Sequence, residues 1–376
     1  MHRHGGTVSY LTIRDAVDAS GNPIEIAISD GLIVGRKIDS PVIEAGGLTA
    51  VPGFIDIQIN GAWGHDFTEN PGSIWDVGSL LPSTGVTAFC PTIITAPHDR
   101  IEAAQKAMTS RPDGYVGAEP IGLHLEGPHL SHVRRGTHPP QYLVDPADSR
   151  ILPDNVAIAT LAPELDGALD LITRLVMGDI VVSIGHSAAT SAQSRAAIDA
   201  GATLGTHIFN GMPPIGGRTP GIAGTLLTDK RVRFGVIVDR IHLADETVKL
   251  VWLAAPDRVI LVTDAIAAMG MQDGDYEIGG IQVTVANGAV RNVEGNLAGS
   301  VLTMDEGLRN ILSTADVPLA VAVKALTSTP AAALNRPDLG SLEPGSRGDV
   351  VLMADGEVVC TVVAGNVAFV QGDEQP

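Results

Sequence analysis

Four acidic or histidine side chains stand at the ends of short apolar runs on well-separated parts of the chain: Glu126, His186, His207 and Asp264. Two imidazoles and one carboxylate are a common ligand set for a catalytic divalent metal, which keeps a coordination position open for water. A further carboxylate can then accept and return protons. Each residue alone is more typical of a hydrogen-bonded cap at a strand end, but the set together predicts metal-assisted hydrolysis.

The elements that would position these side chains are eight short apolar runs rich in β-branched residues. Stretches with a helical period lie between most of them, including 99–108, 168–176, 191–200 and 244–255. Such repeats are typical of a parallel α/β barrel, which carries its catalytic groups at the C-terminal ends of its strands. We therefore predict a TIM (β/α)8 barrel over residues 51–340. The predicted strands are 54–60, 86–93, 120–126, 156–162, 180–186, 203–209, 233–239 and 258–264.

The two ends of the chain have a different pattern. Residues 1–50 and 341–376 contain short strand-like runs broken by Gly, Asp and Asn, without long helical periods. We expect them to meet as one small β domain beside the barrel. A turn-rich insert at 274–295 predicts hairpins after the eighth strand, and helices are expected at 303–315 and 318–329.

Composition limits the classes of function. The 376 residues carry 43 acidic and 24 basic side chains, and the net charge of −19 excludes a nucleic-acid binder with a broad basic surface. With 44% hydrophobic and 18% charged residues, the composition predicts a globular protein. No apolar run approaches the ~18–20 residues of a membrane-spanning helix. We expect a cytoplasmic protein without membrane contact, whose two cysteines, Cys90 and Cys360, are reduced and buried.

Six motifs extend over the chain from about Val51: VPGFIDIQINGAWGHDF, GLHLEGPHL, SIGHSAATSAQS, THIFNGMPPIGGRTPGIAG, VILVTDAIAAMG and NLAGSVLTMDEGLRN. Together they resemble the signature segments of the N-acetylglucosamine-6-phosphate deacetylases, within the amidohydrolase superfamily. The resemblance implies a distorted TIM barrel with a β-sandwich domain built from both termini. This agrees with the fold that the hydrophobic pattern predicts on its own.

The resemblance also implies a role for individual residues. The metal ligands would be Glu126, His186 and His207, with Asp264 as the catalytic carboxylate. A loop histidine, matched here by His138, would stabilise the oxyanion. Substrate would contact the backbone amides of Asn210 and Gly211, while Arg218 and His242 would bind the phosphate, in the family across a subunit boundary. This last feature implies a homodimer.

One departure from the superfamily concerns the metal. Many amidohydrolases have His-x-His after the first strand, whereas Gln58 and Asn60 stand here. Neutral amide oxygens are poor ligands for zinc, so we expect a single divalent ion per chain. Zn²⁺ is favoured, although a set of two histidines and one glutamate also suits Fe, Mn and Co.

Other departures concern the binding loops. Arg240 replaces the usual glycine of an Asp-Gly-x-His segment, which would put a cation close to the phosphate site. Gly211 replaces an alanine, and we expect this exchange to be mild because only the backbone is used. Arg134 and Arg135 are open to two interpretations: cations of a lid over the substrate, or solvated loop charges.

The sequence therefore predicts deacetylation of N-acetylglucosamine 6-phosphate to glucosamine 6-phosphate and acetate, in amino-sugar catabolism and cell-wall recycling. An alternative is a deacetylase for the galactosamine or mannosamine epimer. A catalytically silent sugar-phosphate sensor would need to have lost Asp264 or the metal ligands, and all of them are present. A glycosidase lacks support, because the second strongly placed carboxylate, Glu126, belongs to the metal pattern.

Overall fold

The computed structural model describes residues 10–36, 39–151 and 154–372. Eight parallel strands form the barrel, one at each of the eight predicted runs. They pair in chain order, and a bridge between Ile59 and Ala265 joins the first strand to the chain after the eighth. The barrel predicted from the sequence is confirmed. The strands are Phe54–Ile59, Val86–Ile94, Leu123–Glu126, Val156–Leu161, Val181–Ile184, Leu204–Gly205, Arg233–Val236 and Val259–Leu261.

Several of these strands end earlier than their apolar runs predict. His186, His207 and Asp264 have φ angles of +45°, +23° and +49°, outside the extended region. The backbone therefore leaves the hydrogen-bonded ladder just before each of these residues. At the C-terminal mouth of the barrel, the side chains of these three residues therefore do not continue the alternation of the strands.

Helices cover the outside of the barrel, and three more helices of the described chain come after the insert. Ala168–Met177 shows why they form there: Leu171, Ile172 and Leu175 recur on one face and are buried. Two helices, Ile74–Leu80 and Gly221–Thr228, have no clear apolar period because most of their residues are buried, so the sequence pattern did not single them out. The α-helices are Ile74–Leu80, His98–Met108, Ala168–Met177, Ser191–Asp199, Gly221–Thr228, Asp245–Ala254, Met304–Ala315, Leu319–Lys324 and Ser328–Ala333.

The two ends of the chain form one eight-stranded sheet with a separate apolar core. Thr49–Pro52 pairs antiparallel with Val350–Ala354 and so joins the N-terminal and C-terminal strands. This confirms a separate β domain built from both termini. We propose that its division from the barrel lies close to the predicted boundaries, 1–50 and 341–376 against 51–340, with strand Thr49–Pro52 crossing the first of them. Its strands are Tyr10–Val17, Pro23–Ser29, Leu32–Val34, Val42–Glu44, Thr49–Pro52, Val350–Ala354, Glu357–Val363 and Asn366–Val370.

The insert after the eighth strand is a three-stranded antiparallel sheet: Gly274–Ile278, Ile281–Ala286 and Ala289–Asn292. Alternate residues of its middle strand are buried, as a half-covered strand requires. Its apolar face packs on Ile94, the last residue of the second barrel strand, and on Ile266, which follows the eighth. The sheet therefore holds the following segment, 294–299, over the mouth of the barrel. Among the described residues, no helix has the length and apolar character needed to cross a membrane.

Candidate active site

The three predicted metal ligands converge at the mouth of the barrel. Nε2 of His207 lies 3.1 Å from Oε1 of Glu126 and 3.1 Å from Nε2 of His186. Nε2 of His186 lies 3.2 Å from the same Glu126 oxygen. All three side chains are buried, and one ligand atom from each lies within 4.8 Å of the others.

The protonation of these groups tests whether a cation fits between them. His186 donates its Nδ1–H to the carbonyl oxygen of Arg134 at 2.9 Å, so in the neutral ring Nε2 carries a lone pair. Burial raises the pKa of the Glu126 carboxyl, but its contacts with His186 and His207 outweigh burial and hold that pKa well below its usual range. A lone pair and a carboxylate oxygen therefore face each other across 3.2 Å, an arrangement that a divalent metal would stabilise.

Two glycines make room for the His186 ring. A Cβ atom on Gly211 would stand 2.9 Å from Nδ1 of His186, and one on Gly136 would stand 3.2 Å from its Cε1. Both glycines have positive φ angles, +62° and +57°. Placing an alanine at position 211 would therefore not be mild on this backbone, because the added methyl group would press on His186, a predicted metal ligand.

Asp264 lies beside the cluster and accepts hydrogen bonds from two amide side chains. Asn60 Nδ2 donates to its Oδ1 at 2.8 Å and Gln58 Nε2 at 3.3 Å, and Gln58 also donates to Glu126 at 3.1 Å. Burial, with the nearby negative charge of Glu126, raises the pKa of Asp264 to about 6. A carboxyl group with such a pKa can accept and release a proton near neutrality.

His138 lies across the same cluster, and its ring is oriented by Thr95. The backbone N–H of Thr95 donates to Nδ1 at 3.3 Å, and the Thr95 hydroxyl lies 2.9 Å from that atom. Because a backbone N–H can only donate, Nδ1 accepts and the ring proton is on Nε2, which lies 3.8 Å from Oε2 of Glu126. Burial and the neighbouring His186 lower the pKa of His138 to about 3, so it is a neutral donor.

These groups line a cavity of about 450 Å³, large enough for a hexose derivative. One side is formed by the chain from 132 to 138, and the other by segment 294–299. Thr137 links the two sides by donating its hydroxyl hydrogen to the carbonyl of Leu297 at 3.4 Å. The cavity places a small-molecule site at the C-terminal ends of the barrel strands, as in barrel enzymes generally.

A family model described as "Amidohydrolase family" matches residues 49–368. The chain belongs to the amidohydrolase family. A relative in Rattus norvegicus named N-acetylglucosamine-6-phosphate deacetylase is 36% identical over 355 residues, covering 89% of this chain and 87% of the relative. A relative in Escherichia coli O157:H7 named N-acetylgalactosamine-6-phosphate deacetylase is also 36% identical, over 342 residues, covering 88% of this chain and 91% of the relative.

Solved structures agree with this amidohydrolase over nearly its whole length. N-acetylglucosamine-6-phosphate deacetylase from Pasteurella multocida has a TM-score of 0.87 at 28% identity, covering 95% of this chain and 99% of that one. A mutant of the Mycobacterium smegmatis enzyme in complex with N-acetyl-D-glucosamine-6-phosphate has a TM-score of 0.86 at 32% identity, covering 96% and 100%. The predicted family resemblance and fold are confirmed.

Eight of the nine predicted site residues border the amidohydrolase cavity: Glu126, His138, His186, His207, Asn210, Gly211, His242 and Asp264. The ninth, Arg218, is exposed on the loop that follows and is not among the described residues lining the cavity. Its expected role toward a neighbouring subunit stays a prediction. Arg240 differs from expectation, because its Nη2 donates to Ser313 at 2.6 Å and it too lies outside the cavity lining.

Two residues that orient the site were not identified from the sequence. Thr95 is 43 positions from His138, so only the folded chain brings them together. Asp239 could have been found, because an aspartate three residues before a histidine can bond back to it. Its carboxylate accepts the Ile241 and His242 backbone N–H groups at 2.8 Å each and lies 2.7 Å from Nδ1 of His242.

Proposed function

We propose that this amidohydrolase removes the acetyl group from N-acetylglucosamine 6-phosphate, giving glucosamine 6-phosphate and acetate. The observation that carries the proposal is the convergence of a Glu–His–His cluster, a carboxyl group with a raised pKa and a neutral imidazole donor in one cavity. The relatives in R. norvegicus and Bacillus subtilis, each 36% identical, are both named for this activity.

We infer that Glu126, His186 and His207 hold one divalent metal per chain, with Zn²⁺ favoured by the ligand set. Such an ion lowers the pKa of a water molecule toward neutrality and polarises a carbonyl group. The amide nitrogens of Gln58 and Asn60 donate to the carboxylates where a second cation would otherwise offset their charge. This arrangement supports a single metal.

The remaining chemistry belongs to the chain's own side chains. His138 donates its Nε2–H to the acetamide carbonyl oxygen as negative charge develops there. Asp264 accepts the proton of the attacking water and passes it to the amide nitrogen, so that the C–N bond breaks and a neutral amine leaves. The acyl product, acetic acid, then gives its proton to the free amine, so the products are acetate and the protonated amino sugar. Asp264 ends the cycle in its starting protonation state.

For substrate binding, we propose contacts from the backbone amides of Asn210 and Gly211 to the sugar. We assign phosphate binding to His242 and to Arg218 of a neighbouring subunit in a homodimer. The exposed position of Arg218 is compatible with a role toward another chain. We place the reaction in the cytoplasm, which is supported by two buried free cysteines.

A second candidate function is deacetylation of N-acetylgalactosamine 6-phosphate. It is favoured by one observation: the E. coli O157:H7 relative named for that activity is as similar, at 36% identity, as the N-acetylglucosamine-6-phosphate deacetylases. The two sugars differ only in the orientation of one hydroxyl group, so both chemistries need the same cluster.

Acetate release from the purified protein tests the proposal. The gluco, galacto and manno epimers are compared as 6-phosphates, before and after chelation and after metal is restored. We expect the gluco epimer to give the highest kcat/KM and chelation to abolish turnover reversibly. Faster turnover of the galacto epimer would favour the second candidate, and no metal-dependent acetate release from any of them would contradict both.

A further inference from the structure

The charge of the cavity raises a question that the assigned residues leave open. Three carboxylates border it, those of Glu126, Asp264 and Glu294, and the whole chain has a net charge of −19. A phosphate monoester entering this cavity would be repelled unless a cation lies within reach. Arg218, the arginine assigned to phosphate, is outside the cavity lining of its own chain. The two arginines that do line it, in its described part, are Arg134 and Arg135.

Arg135 already has a structural role. Its Nη1 donates to the carbonyl oxygen of His138 at 2.9 Å and to that of Gly136 at 3.2 Å. Its own carbonyl accepts the His138 backbone N–H at 3.1 Å. These three contacts tie Arg135 to the loop that positions His138, and two of them are made by its Nη1.

Arg134 is held differently. Its backbone N–H donates to Ser131 at 3.0 Å, and its carbonyl accepts the Nδ1–H of His186 at 2.9 Å. The main chain is therefore fixed to a proposed metal ligand. In the side chain, Nε is buried and has no hydrogen-bond partner among the described residues. A buried N–H without a partner is unfavourable, so no hydrogen bond through Nε holds this side chain in place, and Arg134 lines the cavity.

We propose that Arg134 binds the phosphate group of the substrate from within the same chain. The proposal rests on the proposed function, since it names the residue that recognises the ester at that site. Guanidinium groups suit phosphate because they donate several hydrogen bonds in a fixed fork. Because the Arg134 carbonyl also holds His186, one residue connects phosphate recognition to the metal-ligand side of the cavity.

Three variants test the assignment. Arg134→Met removes the charge and keeps an apolar stem, and Arg134→Lys keeps the charge. Arg195→Met, on the exposed side of helix Ser191–Asp199, makes the same change in net charge away from the cavity. Steady-state kinetics are measured with N-acetylglucosamine 6-phosphate and with unphosphorylated N-acetylglucosamine. Metal content and thermal unfolding show that each variant is folded and loaded.

We expect Arg134→Met to raise KM for the phosphorylated sugar by about 10- to 100-fold, the loss of a charge-assisted hydrogen bond, with little change in kcat. Turnover of the unphosphorylated sugar should not change, Arg134→Lys should recover most of the loss, and Arg195→Met should stay within about twofold of the parent. An unchanged KM would overturn the proposal. So would an equal loss for both sugars, because the charge would then act on the reacting amide.

Binding calorimetry gives a readout that does not need turnover. Glucosamine 6-phosphate and glucosamine are titrated into the metal-free and metal-loaded proteins. Arg134→Met should weaken only the phosphorylated ligand, and equal weakening of both would overturn the assignment. If the parent protein releases no acetate from any sugar, the proposed function fails, while this titration still decides whether Arg134 binds the phosphate.

Discussion

The mouth of the barrel and the terminal sheet differ in how fully their polar groups are satisfied. Among the described residues, four buried side-chain atoms have no hydrogen-bond partner, and three of them belong to residues that line the cavity: Asn60, Arg134 and His207. In the terminal sheet, the buried carboxylate of Asp349 accepts hydrogen bonds from Arg347 and from the backbone of Ala364. Unsatisfied groups therefore concentrate in the residues of the candidate site, whereas the terminal sheet pairs its buried carboxylate.

The two regions also use positive φ angles differently. In the terminal sheet, three of the four described non-glycine residues with such angles are aspartates, Asp30 and Asp355 in turns and Asp15 at an irregularity of its strand, and aspartate tolerates this conformation. At the mouth they include His186 and His207, whose side chains form the cluster. Strain at a site that performs chemistry is common, because the geometry of the side chains matters more than local stability. Mutations in the two regions should consequently separate activity from stability.

Asp264→Asn should show the largest separation. Loss of proton transfer should lower kcat by about 10²- to 10⁴-fold. The protein should unfold at the same or a higher temperature, because an amide removes the cost of burying a carboxylate whose pKa is raised to about 6. Metal analysis, kinetics and thermal unfolding check this. Metal retained with kcat unchanged would contradict the assignment of proton transfer to Asp264.

Ile28→Ala should give the opposite result in the terminal sheet. Ile28 is fully buried in the core of that sheet, so truncation should cost about 2–5 kcal/mol of unfolding free energy. The kcat/KM per folded molecule should stay at the parent value. Val42→Ala, at a position with 39% of the residue exposed, is the control and should change stability little. A large loss of kcat/KM in Ile28→Ala would show that the two regions are coupled.

Asp66 offers a pH test close to the mouth. Burial raises its pKa to about 6, and its carboxylate accepts the backbone N–H groups of Glu69 at 2.8 Å and Gly279 at 3.0 Å, joining the barrel to the insert. Because the folded-state pKa is raised, the protonated form favours folding, and this contribution is lost as pH rises through about 6.

Relative to Asp66→Asn, the parent protein should therefore lose up to about 3 kcal/mol of stability between about pH 4 and about pH 7.5. Denaturant unfolding of both proteins across that range measures the difference. A difference that does not vary with pH, or that grows in favour of the parent at higher pH, would contradict the assignment of the raised pKa to this carboxyl group.

Much of the fold follows from the sequence because apolar periodicity reports burial. Runs such as 86–93 are buried on both faces, and their β-branched residues predict the strand that forms, Val86–Ile94. The early ends of the strands at His186 and His207 were not predictable, since their φ angles are imposed by contacts from other parts of the chain. The helix Gly221–Thr228 was not singled out because Ile222 to Leu227 are all buried, which leaves no polar face to mark a period.

The residues of the candidate site also divide into those that the sequence identifies and those that it does not. Residues at strand ends, such as Glu126 and Asp264, are identifiable because strand position and chemistry coincide. Residues that act through another residue carry no such mark: Thr95 orients His138 from 43 positions away, and nothing in its local sequence indicates that contact. The contact of Arg240 with Ser313 was not predictable for a related reason, because Ser313 lies on helix Met304–Ala315, far along the chain.

Thr95→Val tests how the hydrogen bond to His138 contributes to activity at the mouth of the barrel. The valine keeps the backbone N–H but removes the hydroxyl 2.9 Å from Nδ1 of His138. Losing one hydrogen bond of about 1 kcal/mol should lower kcat by up to about tenfold with little change in KM. Thr95→Ser should keep most of the activity. Nitrogen NMR of histidine-labelled protein should show the Nε2–H tautomer of His138 in the parent, and a parent with the proton on Nδ1 would contradict the orientation proposed for Thr95.

Arg240 gives the smallest expected effect and tests whether every positive φ angle near the mouth serves the reaction. Its φ angle is +62°, but its side chain contacts Ser313 and lies outside the cavity lining. Both Arg240→Gly and Arg240→Ala lose that contact, and only glycine relieves the strained backbone. The glycine variant should therefore be more stable than the alanine variant by about 1 kcal/mol in denaturant unfolding.

Both variants should keep the parent KM for the phosphorylated sugar, because the strain at this position belongs to the loop and not to the site. A raised KM in both variants would instead return Arg240 to the phosphate-binding group, and the contrast between functional and incidental strain at the mouth would no longer hold.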